Sequence, residues 1–183
     1  MKLKNDTFKV DIVSVETNRL NLEDDGVFFR EKAENQLSKS HIITIDNGVA
    51  VNTIILVGDM FLYDEYCAVL ENSVLTVLQN DFLVQIDLNL CQVIKYKPIE
   101  EFGGNFELHL TPVGYFVYGE SAVATYDKEL NQIWRFSGKD IFVALNGKPS
   151  FRMTVNTIQL YDFEDNYYEL DFGGKLITEM IRR

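Results

Sequence analysis

Four stretches of this chain alternate apolar and polar residues as far as an aspartate, cross a short polar turn and resume. They are ITIDNGVAVNTII around Asp46, VQIDLNLCQVIKY around Asp87, ATYDKELNQIWRF around Asp127 and YELDFGGKLITEM around Asp171. They align without gaps, and the aspartates lie 41, 40 and 44 residues apart (46 to 87, 87 to 127, 127 to 171). The residue before each aspartate is large and apolar (Ile45, Ile86, Tyr126, Leu170), and the one before that is polar (Thr44, Gln85, Thr125, Glu169). A period of two belongs to a strand with two unlike faces, so each stretch predicts a hairpin whose first strand ends at the aspartate. An aspartate placed there accepts hydrogen bonds from backbone amides one or two residues on and fixes the turn. Asp46, Asp87, Asp127 and Asp171 are therefore assigned to structure.

The phasing extends beyond the hairpins. Fifteen residues after the first three aspartates come Phe61, Phe102 and Phe142, and thirteen after them the acids Asp59, Glu100 and Asp140. Seven and six residues before each aspartate lie the polar pairs Lys39-Ser40, Asn80-Asp81, Glu120-Ser121 and Glu164-Asp165, placed as turns into the strand that ends there. A repeat of about 40–45 residues holding four strands is the signature of a propeller blade. The second blade reads as YCAVLEN, SVLTVLQ, FLVQID and QVIKYKP, and the third as FELHLTP, YFVYGE, AVATYD and QIWRFS. The fourth reads as SFRMTVN, TIQLYDF, YYELDF and LITEMI. The first departs from the pattern. KVDIVSVE and GVFFRE fit as strands, but EKAENQLSKS (31–40) is polar where a strand should enter its turn, and reads as an inserted loop or a short helix. No segment sustains an apolar period of 3.6, so helices should be few. The expected fold is all-β: one small β-propeller-like domain over 1–183, of four antiparallel four-stranded sheets, with repeats near 8–56, 57–97, 98–137 and 138–183. An open, curved stack of the same sheets is the alternative.

The stretch YDKELNQIWRFSG (126–138) resembles the Trp-containing repeat of quinoprotein-type propellers, in which an aspartate hairpin leads into a Trp-bearing outer strand. Trp134 stands at about the right distance from Asp127, where the other repeats have Thr53, Ile94 and Thr178. The resemblance covers the repeat period and one good copy, and it implies a propeller-like fold. It does not extend to a quinone, because the residues with which those enzymes hold their cofactor and calcium have no match here. Alternation in QIWRF puts Trp134 and Phe136 on one face, so Trp134 is expected to pack between neighbouring sheets.

Composition narrows the chemistry. With 183 residues the chain is long enough for a sizeable core. Its 46% hydrophobic and 13% aromatic content, including 13 Phe and 9 Tyr, excludes disorder and favours β structure. A formal charge of −11 argues against nucleic acid, whose phosphates need Lys and Arg to displace counterions, and against anionic membrane surfaces. The opening MKLKNDTFKVDIV has no apolar core of a signal peptide, no stretch approaches the roughly 20 apolar residues of a bilayer span, and cysteines are few. A cytoplasmic protein is expected.

Candidate reactive groups are sparse. His41 and His109 both fall in strands, and with Cys67 and Cys91 they offer no zinc-ligand spacing. Cys67 reads as a small core residue, while Cys91 falls in a turn without a basic neighbour to activate it. There is no nucleophile elbow, phosphate loop or dinucleotide fingerprint. Neither a metal nor a cofactor is expected, and no catalytic residue is assigned. The acids carry more information. Turns entering the aspartate strand and loops joining blades share one face of a propeller, which would gather Asp59, Glu100, Glu101 and Asp140 with Asp81, Glu120 and Glu164. The expected function is a non-catalytic module that binds a basic protein partner through this face, for instance an inhibitor or immunity-type protein. The alternative is a carbohydrate-binding or carbohydrate-processing domain built on aromatics and a carboxylate pair.

Overall fold

The computed structural model describes residues 1–16, 20, 27–30, 39–57, 65–79, 81–99, 103–144, 147 and 149–182, with 27–30 and 39 described by their backbone alone. Every regular element among these residues is a strand. The chain divides into two compact units, Met1–Ile99 and Glu100–Arg183.

In the first unit, the first sheet contains β1 (Lys2–Lys4), β2 (Lys9–Glu16), β3 (Val27–Arg30), β4 (Lys39–Asp46) and β5 (Val51–Val57), in the order β1-β2-β4-β5-β3. Its centre is an antiparallel ladder from Lys9↔Asp46 to Glu16↔Lys39. A ladder that long leaves no place for GVFFRE beside KVDIVSVE, where an antiparallel blade would put it. β3 lies instead at the far edge, parallel to β5, and β1 pairs with β2. Lys39 and Ser40, expected in a turn, already belong to β4. The rest of the polar insertion, 31–38, lies outside the described residues.

The second sheet is a meander of β6 (Ala68–Glu71), β7 (Val74–Gln79), β8 (Phe82–Asp87) and β9 (Gln92–Pro98). Alternate residues of the two sheets meet in an aliphatic core. Val10, Ile12, Ile43, Ile45, Ile54 and Leu56 come from the first sheet, and Leu75, Val77, Val84 and Ile86 from the second. Burying each such side chain stabilises the fold by about 1.5–3 kcal/mol.

The second unit holds two further meanders. One is β10 (Asn105–Leu110), β11 (Tyr115–Gly119), β12 (Val123–Tyr126) and β13 (Gln132–Phe136). The other is β14 (Phe151–Met153), β15 (Thr157–Tyr161), β16 (Tyr167–Asp171) and β17 (Leu176–Met180). These three meanders follow the strands read from the sequence. The core between the third and fourth sheets is largely aromatic, with Phe116, Tyr118, Phe142 and Tyr168 among Val123, Ile158, Leu160 and Leu170. Tyr118 stacks on Phe151 at 4.8 Å, and Phe136 meets Tyr168 edge-on at 5.3 Å. Such pairs add about 0.5–1.5 kcal/mol each beyond their buried area. The residue before each repeat aspartate is buried in every sheet: Ile45, Ile86, Tyr126 and Leu170 are at most 2% exposed.

Trp134 ties the third sheet to the fourth, as its place in the alternation predicts. Its indole N–H donates to the Phe172 carbonyl at 3.0 Å, and its ring lies 6.1 Å from that of Phe116. Gly174 approaches so closely that a Cβ there would stand 2.5 Å from Trp134 Cδ2, and its φ of +82° is left-handed. Because Trp134 is only half-buried, Trp134→Ala should cost about 2–3 kcal/mol, below the roughly 3–5 of a fully buried aromatic. Gly174→Ala should lose about 1–2 kcal/mol to the backbone conformation, and more through the collision. Denaturant unfolding of both single variants and the double checks this. The glycine substitution should be less damaging once Trp134 is gone, and equal cost in both backgrounds would show that the collision is unimportant.

Candidate interaction surface

At one end of each sheet the third strand turns into the fourth, and the four repeat aspartates stand there. Each carboxylate accepts backbone amides of its own turn. Gly48 donates to Asp46 Oδ1 at 2.8 Å, Asn89 to Asp87 at 2.8 Å, and Lys175 to Asp171 at 2.9 Å. Asp127 accepts from Glu129 at 2.8 Å and Asn131 at 2.7 Å. The turns themselves are of more than one kind. Asp127 and Asp171 open the same five-residue turn, whose fourth residue is left-handed (Leu130 φ 61°, Gly174 φ 82°). That conformation costs a side-chain-bearing residue about 1–2 kcal/mol, which the complete burial of Leu130 offsets. In the second sheet the left-handed residue, Cys91, comes one place later. In the first sheet Asn47 adds a cap of its own to Val49 and Ala50. Burial, reinforced by Asp87, pushes the Cys91 thiol up, away from the reactive thiolate.

The opposite end carries the turns between second and third strands. In the second unit three loops meet there: Phe142 N–H donates to the Glu120 carbonyl at 2.6 Å and Phe163 N–H to that of Ile141 at 2.8 Å. In the first unit Ile99 N–H donates to the Asp81 carbonyl in the corresponding place, at 2.6 Å. The end of the second unit thus groups Glu120, Asp140, Glu164 and Asp165 with Lys139 and Arg182. Three of these acids also hold their own loops. Glu120 Oε2 accepts the Gly104 N–H at 3.1 Å, Asp140 Oδ1 accepts the Ile141 N–H at 2.8 Å, and Asp165 pairs with Arg182 at 2.6 Å. Glu164 is exposed, as is Glu65 in the first unit. Asp59, Glu100 and Glu101 lie outside the described residues.

Beneath this surface is a buried polar node that the reading of the sequence missed. Asp162 is fully buried. Its Oδ1 accepts the Asn166 backbone N–H, and its Oδ2 accepts both the Asn166 amide and the Tyr168 hydroxyl, each at 2.9 Å. Tyr168 Oη in turn accepts the Lys139 N–H at 2.9 Å, and Asn166 Oδ1 accepts the Arg182 N–H at 2.8 Å. One carboxylate therefore ties the joining segment, through Tyr168, and the residues after β17, through Asn166, to the β15–β16 turn. Its sequence signal is an Asp followed four residues later by Asn, present in DFEDN as in DKELN. Burial, opposed by the bond from Lys139 and assisted by that to Asp162, pushes the Tyr168 phenol up to about 12.

Among the described residues no three His, Cys, Asp or Glu side chains converge as metal ligands. No helix there is long and apolar enough to cross a membrane. His109 Nε2 lies 2.7 Å from Glu107 Oε2, and its ring is 5.3 Å from that of Phe151. An exposed and a half-buried aromatic do occur beside an acid on the fourth sheet, where the Tyr161 and Tyr167 rings lie 5.0 Å apart. The carboxylate there is single. Glu169 Oε1 already accepts from Thr157 at 2.8 Å and Gln159 at 3.3 Å, bonds that hold its carboxyl below the usual range. The described residues bring no second acid beside it to make the pair that sugar hydrolysis uses.

No family model and no curated protein matches the sequence. Among solved structures, BamB from Moraxella catarrhalis, a β-propeller, is similar over 93% of this chain at a TM-score of 0.51 and 10% identity. The chain spans about half of that protein, 51% of its length. The computationally designed Ika8 protein is similar over 98% of this chain and 60% of its own, at a TM-score of 0.45 and 7% identity. The fold is thus all-β and propeller-like, with four repeated sheets.

The buried phenol makes stability depend on alkaline pH. With a folded value of about 12 against an ordinary 10, Tyr168 favours folding fully below pH 10. That contribution is lost as pH rises from 10 through 12. Tyr168→Phe should flatten this decline and cost about 1–3 kcal/mol at neutral pH, because Asp162 and the Lys139 N–H lose a partner. Denaturant unfolding of both proteins from neutral pH to pH 12 checks it, and an equal alkaline decline in both would refute the assignment.

Proposed function

We propose that this chain is a non-catalytic, propeller-like module that binds a basic protein through the end of its sheets carrying the turns between second and third strands. Its most specific form is an inhibitor or immunity-type protein that neutralises a cationic enzyme such as a nuclease. The reading is carried by the two backbone bonds, Phe142 to Glu120 and Phe163 to Ile141, that bring three acid-bearing loops together. Four carboxylates there face two cations, and the whole chain carries −11. Charges of one sign on neighbouring rigid loops add their fields, and such a surface draws a cationic protein in faster than diffusion alone. The turns are short and internally bonded, so the surface is held in shape before any partner arrives.

The test is association kinetics against the protein products of neighbouring genes. The partner should bind faster as salt falls, because screening acts beyond a Debye length of about 8 Å at physiological strength. Glu164→Lys combined with Asp140→Asn should slow association by about tenfold while circular dichroism stays unchanged, since Glu164 is exposed and asparagine keeps the acceptor for the Ile141 N–H. A bound partner whose association rate ignores both salt and these substitutions would remove the acidic end from consideration.

A further inference from the structure

The fourth sheet turns one face to the core and the other to water. Ile158, Leu160, Tyr168 and Leu170 lie on the inner face and are at most 1% exposed. The residues between them form rows across the strands on the outer face. One row is Arg152, Gln159, Glu169 and Thr178, which stand in register on β14, β15, β16 and β17. Beside it runs a second row of Tyr161, Tyr167 and Met180. Arg152, Tyr161 and Met180 are exposed, and the other four are half-buried. Neighbouring strands lie about 4.8 Å apart, so the polar row spans about 14 Å.

The polar row is ordered before anything binds. Glu169 Oε1 accepts from the Thr157 hydroxyl and the Gln159 amide, and the Tyr167 hydroxyl joins the same network. Amide and carboxylate are planar groups, and these bonds fix the direction of each. Arg152 enters none of the ion pairs formed among the described residues, which leaves its forked donors open to a ligand. In the aromatic row the Tyr161 and Tyr167 rings lie 5.0 Å apart, with Met180 across from Tyr167.

Charge selects the ligand. Arg152 and Glu169 are the charged side chains of these two rows and cancel, so the platform is locally neutral in a chain carrying −11. A cation placed there meets Arg152, while an anion meets Glu169 and the field of the whole chain. The face suits an uncharged molecule with hydroxyls along its edge and an apolar C–H face. A sugar ring has both. Its C–H face stacks on an aromatic ring, and its adjacent hydroxyls match the paired atoms of a guanidinium, an amide or a carboxylate. We infer that this outer face of the fourth sheet binds a neutral glycan. Tyr161 and Tyr167 supply the stacking surface, and Arg152, Gln159 and Glu169 recognise the hydroxyls. A single carboxylate fits recognition without cleavage, which takes two. The site lies on one sheet and is independent of the acidic end and of any partner bound there.

Electrophoresis of the full chain in native gels containing a soluble polysaccharide tests this. Neutral β-glucan, mannan, xylan and galactan are the probes, with polygalacturonate and chitosan as anionic and cationic controls. At least one neutral polymer should retard the chain. Calorimetry with that polymer should give an affinity that does not change with salt, because no net charge is neutralised on binding. Tyr161→Ala and Arg152→Ala should each weaken binding by about tenfold, through loss of a stacked ring or of charge-assisted hydrogen bonds. Both side chains are exposed, so each variant should keep the circular dichroism of the parent. Glu164→Lys with Asp140→Asn, at the acidic end, should bind the polymer with parental affinity. Migration unaltered by every neutral polymer overturns the inference. So does retardation by the charged polymers alone, or neutral-polymer binding that survives both the Tyr161 and the Arg152 substitutions.

Discussion

A strand's side chains change face with every residue, so a sheet keeps its core only if its register cannot slip. In this protein the register is held at the close of each third strand. There a carboxylate accepts one or more amides of the turn, and the residue before it enters the core. Ile45, Ile86, Tyr126 and Leu170 are all buried in that position, beside Asp46, Asp87, Asp127 and Asp171. A shift by one place would bring the aspartate into the core and its apolar neighbour out of it. In the second, third and fourth sheets a register irregularity sits at the same point, between Gln85 and Ile86, Thr125 and Tyr126, and Glu169 and Leu170. The bulge absorbs the extra residue of the turn without moving the buried side chain.

The two units solve the problem of filling the space between sheets with different chemistry. The first uses facing rows of Ile, Val and Leu. The second uses large rings whose edges and faces interlock, and it needs polar partners for their hydroxyls. Tyr118 donates to the Phe142 carbonyl at 2.6 Å, and Tyr168 donates to Asp162. The buried carboxylate of Asp162 thus follows from the aromatic core beneath it. An ionisable group in that place is tolerable because each of its oxygens is hydrogen-bonded. The same node positions the loops that carry Asp140 and Glu164, which links the packing of the core to the surface proposed to bind.

Much of this architecture was legible in residue order. The strands of the last three sheets, the hairpin at each aspartate and the inward side of Trp134 all follow from alternation and spacing, which are local properties. The first sheet was less legible. KVDIVSVE pairs with HIITID across a long separation in sequence, and β3 runs parallel at the far edge. Parallel neighbours leave no turn signal between them. The turns between second and third strands of the last three sheets were legible in their phasing. The engagement of Glu120, Asp140 and Asp165 with backbone and Arg182 was not, because it depends on loops that are distant in sequence.

By itself the sequence determined the repeat, the predominance of strand, the turn at each repeat aspartate and which residue of every repeat enters a core. A period of two and the hydrogen-bonding capacity of aspartate suffice for that, since both act within a few residues. Only the tertiary structure decided the fate of the polar positions. Thr44, Gln85, Thr125 and Glu169 occupy one place in the repeat and are all polar, yet two are buried and two half-exposed. The difference lies in how far each place in its sheet is shielded from solvent. Cover is a property of neighbours in space, and alternation along a strand carries no information about it.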